Sequence, residues 1–268
     1  MDRTAWTELP LATRQAVEAH TERVGQAETA TNGVMSPLAC TLRSASGPVF
    51  VKGTRLDDPS AWMYRAEARV SDHAPLAPRP LWQVEAGGWL LVGYEFLVGH
   101  HPDLAPNSPD LPPLVDALNT MSAAPWPASV PRKKPLRVRW AAFLPEDRAH
   151  DLDGNSLVHT DTSALNMLAT PTGIRLVDWA LACPGPNWAD TAFTVLRLIH
   201  AGHTPERAEE FAQQLLAYRM APPDAVTTFA HTVRAVWESR ERSDPAPHRA
   251  ALIAAARAWA EHRELAVS

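Results

Sequence analysis

The sequence predicts an α+β chain in which a small antiparallel sheet comes first and a larger set of helices follows. Strand-like apolar segments bounded by turn residues precede residue 95; they span residues 38–42, 47–52 and 89–94. Amphipathic helix patterns dominate after residue 190; they span residues 190–200, 205–218, 223–239 and 247–265. Strands followed by helices, rather than alternating with them, are typical of the α+β class.

The first part of the chain contains one helix pattern between its strands. It covers residues 59–70, with Ser60 as a candidate amino-terminal cap and Glu67 on an otherwise apolar face. A buried acidic side chain is costly unless it is paired. The strand over residues 47–52 ends at Lys52, one of only three lysines in the chain. The sequence therefore predicts a cationic partner for Glu67.

Turn-forming residues divide the rest of the chain. Prolines cluster around residues 74–80, 102–113 and 125–135, which marks loops between elements. Residues 167–169 and 174–177 flank a Thr-Pro-Thr-Gly turn and predict a short hairpin. The last three helix patterns begin with a proline near the first turn, where a missing amide donor costs least.

Composition and charge exclude several classes of function. The 268 residues are 46% hydrophobic and 21% charged, which is ordinary for a globular protein, and the net charge is −5. We expect no nucleic-acid binding, because there is no basic stripe, and no membrane span or signal peptide. Cys40 and Cys183 match no metal or disulfide framework, so a cytoplasmic location is expected. The acidic balance slightly favours a cationic small-molecule partner.

Three polar residues carry the chemistry: Asp161, Asn166 and Asp178. Transfer of a γ-phosphoryl group needs a carboxylate that orients the attacking hydroxyl and accepts its proton, and oxygen ligands that hold Mg²⁺. Asn166 follows Asp161 at the spacing of a kinase catalytic loop, although such pairs also arise by chance. The predicted hairpin returns the chain to its start, so Asn166 and Asp178 can share an ion. Mg²⁺ suits these hard oxygen ligands.

The motifs around these residues resemble those of the aminoglycoside phosphotransferase family, small-molecule kinases related to the protein kinases. The matching runs are Val158-His159-Thr160-Asp161, Asn166, Leu176-Val177-Asp178-Trp179-Ala180 and Gly185-Pro186-Asn187-Trp188-Ala189-Asp190. The family commonly has Gly at the position of Thr160, and this departure leaves the catalytic Asp in place. It commonly has Leu-His where this chain has Thr162-Ser163, which bears on the loop's contact with the acceptor.

The resemblance implies a protein-kinase-like fold of two lobes. Its amino-terminal lobe would span residues 1–94, its hinge residues 95–99 and its carboxy-terminal lobe residues 100–268. By the same resemblance, Lys52 holds the α- and β-phosphates of ATP, and Glu67 positions Lys52 through a salt bridge. The backbone carbonyl of Glu95 and the amide of Leu97 would read the adenine edge.

Two further regions have open alternatives. In the loop before residue 38, the resemblance makes Gly33 and Ser36 phosphate contacts through backbone amides or a hydroxyl. Equally, Asn32-Gly33 is a hairpin turn. By resemblance Asp190 supports the catalytic loop through hydrogen bonds to its backbone, as His159 does by packing, whereas by local sequence Asp190 caps the helix that it begins.

The expected reaction is ATP- and Mg²⁺-dependent phosphorylation of a small-molecule hydroxyl, with Asp161 as the base and Asn166 and Asp178 as metal ligands. The expected acceptor is an aminoglycoside-type or other antibiotic; the alternatives are a sugar, an amino alcohol or a biosynthetic intermediate. A non-catalytic nucleotide-binding protein of the same fold is a further alternative. Five acidic residues of the late helices are candidates to meet an amine-bearing acceptor: Glu206, Glu209, Glu210, Asp224 and Glu238.

Overall fold

The computed structural model describes residues 3–31, 36–247 and 249–267, which form two compact units. The first unit contains the described residues up to His100 together with the segment Arg175–Leu181, and the second contains His101–Ile174 and the chain from Ala182 onward. The sequence predicts that everything after residue 99 belongs to one lobe, and the structure differs at Arg175–Leu181. The physical reason is that the Arg175 guanidinium donates to the carbonyls of Leu76 and Ala77, at 3.1 and 2.6 Å.

The first unit is built on a five-stranded antiparallel sheet with the strand order β1-β2-β3-β5-β4. The strands are β1 (Val24–Thr29), β2 (Leu38–Ser44), β3 (Gly47–Arg55), β4 (Pro80–Ala86) and β5 (Trp89–Glu95). The strands predicted at residues 38–42, 47–52 and 89–94 are confirmed. The sequence predicts no strand at β4, which begins at the end of a proline cluster.

Two helices pack on this sheet. α1 (Leu11–Thr21) lies against β4 and was not predicted, and α2 (Ala61–Ser71) lies against β3 and β5 as the helix pattern indicates. Glu67 is buried on the inner face of α2, as expected. Ser60 occupies the cap position, but its side chain caps nothing. Instead the Asp58 carboxylate accepts hydrogen bonds from the backbone N–H and the hydroxyl of Ser60, at 2.7 and 2.6 Å.

The second unit is mainly helical. Its helices are α3 (Leu111–Ser122), α4 (Leu136–Arg139), α5 (Ala189–His200), α6 (Pro205–Ala212), α7 (Leu216–Arg219), α8 (Pro223–Ser243) and α9 (Arg249–Val267). The late helix patterns are confirmed, except that the pattern over residues 205–218 is divided into α6 and α7. Four aromatic rings form the centre of its core, with centroid separations of 5.0 to 6.0 Å: Trp140, Phe193, Phe229 and Trp259.

Short strands flank the loops that contain the candidate site residues. β6 (Ser156–Val158) pairs antiparallel with β9 (Cys183–Gly185). β7 (Met167–Thr170) and β8 (Gly173–Leu176) form a two-stranded sheet, so the predicted hairpin is confirmed. Gly173 has a φ of 114°, which explains why glycine ends the turn. Asn166 immediately precedes this hairpin and Asp178 follows it after one residue.

None of the helices in the described ranges combines the length and the apolar character that crossing a bilayer requires.

Candidate active site

Lys52, Glu67 and Asp178 form one ion cluster in the first unit, called here the lysine cluster. The Lys52 Nζ atom lies 3.0 Å from both carboxylate oxygens of Glu67 and 3.0 Å from Oδ1 of Asp178. The side chain of Glu67 is 4% exposed and that of Lys52 is 13% exposed, whereas that of Asp178 is 45% exposed. The predicted Lys52–Glu67 salt bridge is confirmed, and Asp178 is a second carboxylate for the same ammonium.

Electrostatics keep Lys52 charged. Burial lowers the pKa of an ammonium group, but the carboxylates of Glu67 and Asp178 outweigh this effect and raise the pKa of Lys52 above its ordinary value. Lys52 is therefore an ammonium at neutral pH, which is the form that binds a phosphate. Its three N–H donors match the three carboxylate oxygens that surround it.

Asp178, a predicted metal ligand, has a backbone conformation that is unusual for a residue other than glycine. Its φ of 65° lies in the left-handed region that non-glycine residues seldom adopt. Such conformations persist only where the surroundings impose them, and they cluster at functional sites. Because nearly half of its side chain is exposed, the Asp178 carboxylate is accessible to a cation from solvent.

Two tyrosines lie beside the lysine cluster. Burial raises the pKa of Tyr64, while a hydrogen bond from Ser36 and the charge of Lys52 act in the opposite direction. The hydroxyl of Tyr94 is buried and finds no hydrogen-bond partner within the described residues. Both phenols feel the charges of Glu67 and Asp178. An orphaned buried hydroxyl of this kind is uncommon, because buried polar groups are nearly always hydrogen-bonded.

The remaining predicted nucleotide contacts have different outcomes. Ser36 is buried and its hydroxyl is hydrogen-bonded to Tyr64, so a phosphate contact at Ser36 stays a prediction. Gly33 lies outside the described residues. Glu95 is the last residue of β5, and Leu97 lies in the irregular segment that follows. Adenine contacts through the Glu95 carbonyl and the Leu97 amide also stay predictions.

The side chain of Glu95 has a role that the sequence did not predict. Its Oε1 atom accepts from the backbone N–H of Arg79 at 3.0 Å and from the Arg175 guanidinium at 2.7 Å. Burial raises the pKa of Glu95, but these two donors outweigh burial and leave the pKa below its ordinary value. Arg175 thus joins the end of β5 to the segment that carries Asp178, within the first unit.

In the second unit, Asp161 lies in the loop from His159 to Asn166, called here the catalytic loop. Its Oδ1 atom accepts from the Arg197 guanidinium at 2.8 Å and from the backbone N–H of Ser163 at 3.2 Å. Within the described residues, the hydrogen bonds of this carboxylate go to Oδ1. The side chain is 37% exposed, and a contact between Oδ2 and an acceptor hydroxyl stays a prediction.

Asn166 is oriented by the same loop. Its side-chain Nδ2 donates to the backbone carbonyl of Asp161 at 3.2 Å, which leaves the amide oxygen as the group able to bind a cation. Carboxylate and amide oxygens form the donor set that Mg²⁺ accepts, so the residues present fit this ion. Asn166 belongs to the second unit and Asp178 to the first, and their sharing of one ion stays a prediction.

Asp190 holds the start of the catalytic loop. Its carboxylate accepts from the backbone N–H of His159 at 2.8 Å and from that of Thr160 at 3.0 Å. This confirms the role implied by the resemblance; the helix cap position belongs to Trp188 instead. Thr160 has a φ of 74°, a conformation that glycine adopts freely and that other residues seldom adopt.

Replacing Asp190 with Ala should destabilise the fold by about 2–5 kcal/mol, because the buried N–H of His159 and the partly buried N–H of Thr160 would lose their acceptor. Urea denaturation of the purified variant measures this loss. Asp224→Ala is the matched control, since Asp224 also lies in the first turn of a helix but is 64% exposed. Equal losses in the two variants would contradict the role assigned to Asp190.

The sequence did not predict Arg197, although a signal for it exists. Arg197 lies seven positions after Asp190 on α5, so the two residues share a helix face. Thr194 lies between them on that face and donates to the hydroxyl of Thr162 at 3.1 Å. Thr162 is fully buried against α5. One face of α5 therefore positions the catalytic loop at three points.

A separate cavity of about 790 Å³ in the second unit is lined by none of the predicted site residues. Its lining comes from α3, α7 and the loops around β6 and β9, and includes Asn119, Ser156, Trp188, Leu216 and Met220. The volume of this cavity does not by itself assign it a role at Asp161. The candidate site is therefore defined by the ion pairs and hydrogen bonds of the residues described above.

Comparison with known proteins identifies the fold of this chain. No family model and no curated protein matches the sequence. Solved structures do match: an aminoglycoside phosphotransferase from Alicyclobacillus acidocaldarius is 15% identical, with a TM-score of 0.59, over 96% of this chain and 94% of its own. A choline kinase from Cryptosporidium parvum is 10% identical, with a TM-score of 0.63, over 90% of each chain.

A third similar structure is a spectinomycin phosphotransferase in complex with ADP and spectinomycin. It is 13% identical, with a TM-score of 0.62, over 92% of each chain. Likenesses at these identities show the fold: the chain has the α+β fold of the aminoglycoside phosphotransferases and choline kinases. The fold class predicted from the sequence is thus confirmed.

Proposed function

We propose that this protein is an ATP- and Mg²⁺-dependent phosphotransferase that acts on a hydroxyl group of a small molecule. The observation that carries the proposal is the lysine cluster, in which a buried ammonium is held by two carboxylates from separate parts of the first unit. Such a group suits the binding of nucleotide phosphates. The fold shared with small-molecule kinases supports the same reading.

Each residue would have a distinct role. Lys52 binds the phosphates of ATP and Glu67 holds Lys52 in place. Asn166 and Asp178 would hold Mg²⁺, which neutralises phosphate charge when bound. Asp161 orients the acceptor hydroxyl and takes its proton, as a new bond forms between the acceptor oxygen and the γ-phosphorus and the bond from that phosphorus to ADP breaks. Arg197 and the Ser163 N–H hold the other oxygen of Asp161 during this step.

The acceptor is a small molecule rather than a protein in this proposal. Twelve residues lead from Asp178 to Asp190, and they contain a short helical turn and β9. This leaves no room for the long activation segment on which a protein kinase relies. Antibiotics, sugars, amino alcohols and biosynthetic intermediates remain the acceptor classes to compare. The presence of Lys52, Asp161, Asn166 and Asp178 together argues against a binding protein without activity.

Binding of ATP with Mg²⁺ should raise the melting temperature of the protein. A ligand that binds only the folded state at 100 times its Kd adds about 2.7 kcal/mol to the free energy of unfolding. Differential scanning fluorimetry with ATP, with and without Mg²⁺, measures the shift. Lys134→Met, which removes a lysine outside the site, is the control and should show the same shift as the wild-type protein. If ATP with Mg²⁺ did not change the melting temperature of the wild-type protein, the proposal of a nucleotide site would be contradicted.

The acceptor can be sought by mass spectrometry. Hydroxylated small molecules, incubated with the protein, ATP and Mg²⁺, should include at least one that gains the mass of a phosphoryl group. A broad panel without any product, in a protein that binds ATP, would favour the non-catalytic alternative.

A further inference from the structure

Three residues of the second unit form a cluster beside the candidate base, called here the arginine–tryptophan cluster: Arg197 of α5, and Trp237 and Arg240 of α8. The guanidinium carbons of Arg197 and Arg240 lie 5.8 and 4.9 Å from the centroid of the Trp237 ring. Cation–π contacts of this kind hold a guanidinium in place. Since Arg197 also donates to Asp161, the cluster begins at the residue proposed to take the acceptor's proton.

Arg240 lies near three other arginines of the second unit. Burial of the guanidinium and the charge of Arg139 lower the pKa of Arg240, and Arg249 and Arg197 act in the same direction, while Asp161 opposes them. The charge of Asp161 thus acts together with those of three arginines, of which Arg249 is also paired with Glu241 and Asp244, each at 3.5 Å. In the part of the chain that the structure describes, no carboxylate lies within 4.0 Å of the Arg240 guanidinium. Arg240 is nevertheless exposed, so its donors can reach a ligand from solvent.

The acidic residues expected to meet a cationic acceptor are engaged within the chain. Their partners are His262 for Glu206 (3.3 Å), Tyr218 and Trp259 for Glu209 (2.9 and 2.7 Å), Arg207 for Glu210 (2.6 Å), Arg148 for Asp224 (3.7 Å) and Arg257 for Glu238 (2.7 Å). Glu209 is in addition buried. These acidic side chains are therefore committed to partners within the chain, which disfavours a polycationic acceptor bound through them.

We propose that the acceptor carries an oxyanion, a carboxylate or a phosphate, close to the hydroxyl that is phosphorylated. Arg240 binds the oxyanion with its free donors, and Trp237 holds the guanidinium in position. Arg197 faces both the oxyanion and Asp161, so that binding of the anion places the hydroxyl at the base. This inference rests on the proposed kinase function for the hydroxyl, but the anion site itself is independent of catalysis.

The test measures anion binding while the nucleotide site is filled. The protein is saturated with ADP and Mg²⁺, and its melting temperature is followed against inorganic phosphate or acetate, with chloride holding the ionic strength constant. The wild-type protein should be stabilised by one or both oxyanions beyond the chloride baseline. Arg240→Gln should weaken the apparent affinity for that anion by about tenfold to a hundredfold, the usual loss for charged hydrogen bonds. The two anions distinguish a phosphate site from a carboxylate site.

Arg207→Gln is the matched control, because it removes one positive charge from the same unit at an arginine that is 72% exposed on α6. It should respond to anions as the wild-type protein does. The inference would be overturned if neither oxyanion stabilised the wild-type protein, or if Arg240→Gln responded to the anions as the wild-type protein does. Stabilisation by an aminoglycoside that matches the effect of phosphate would also overturn it. Failure of ADP to stabilise the protein, with Arg240-dependent anion binding preserved, would instead contradict the kinase function alone.

Discussion

Asp161→Asn should lower turnover by about 10²–10⁴, which is the usual contribution of general base catalysis. Asn has the shape of Asp and keeps an oxygen that Arg197 and the Ser163 N–H can reach, so the catalytic loop should keep its structure. Its amide cannot take the proton of the acceptor hydroxyl. The rate of ADP release, measured with an acceptor from the mass-spectrometric screen, gives the size of the effect.

Asp147→Asn is the matched control for this prediction. Asp147 belongs to the same unit and is exposed, so its loss of charge should leave the rate within about twofold, since surface changes are usually small. An unchanged rate in Asp161→Asn would remove Asp161 from its role. A fall of the same size in Asp147→Asn would attribute the effect to net charge instead.

Lys52→Met should lower both stability and activity. The variant leaves Glu67, whose side chain is 4% exposed, without the ammonium that lies 3.0 Å from both of its oxygens. Removal of one partner from a buried ion pair costs about 3–5 kcal/mol. Phosphoryl transfer should be lost as well, because Met offers no donor to the phosphates of ATP. Urea denaturation and the ADP-release assay measure the two effects separately.

A double variant separates folding from chemistry at this cluster. Lys52→Met combined with Glu67→Leu removes both charges, and replacement of a buried ion pair by apolar residues is often neutral for stability. The double variant should therefore regain most of the stability while remaining inactive. Recovery of phosphoryl transfer in the double variant would show that Lys52 is not the phosphate anchor.

The sequence predicted those contacts of the site without which a buried charge would be unpaired. Glu67 lies on an apolar helix face, and a buried carboxylate requires a cation, so local patterns predict a partner for it. The choice of Lys52 as that partner came from the motif resemblance, and the structure confirms it. Asp178 and Asn166 were recognised because their spacing and the hairpin between them are local as well. The role of Asp190 came from motif resemblance, and its two backbone hydrogen bonds agree with it.

Other contacts could not be predicted because tertiary packing decides them. Arg175 bonds to carbonyls 98 and 99 positions earlier, and no local pattern specifies such partners. Glu209 appears in a helix pattern as an ordinary charged residue, yet Trp259, 50 positions away, donates to it in the core. Arg240 and Trp237 likewise have meaning only once α8 brings them beside α5. Pairings of distant side chains therefore mark the limit of what one sequence reveals.

The first unit is discontinuous in sequence, and this restricts how the chain can be recombined with relatives. An amino-terminal cassette that ends at His100 carries Lys52 and Glu67 but leaves Asp178 behind, because Asp178 enters that unit with the segment Arg175–Leu181. A chimera joined at the apparent boundary would pair the ammonium of one parent with the carboxylate of the other. Exchange of this unit between homologous chains therefore requires two crossover points, with the segment from 175 to 181 transferred together with the amino-terminal part.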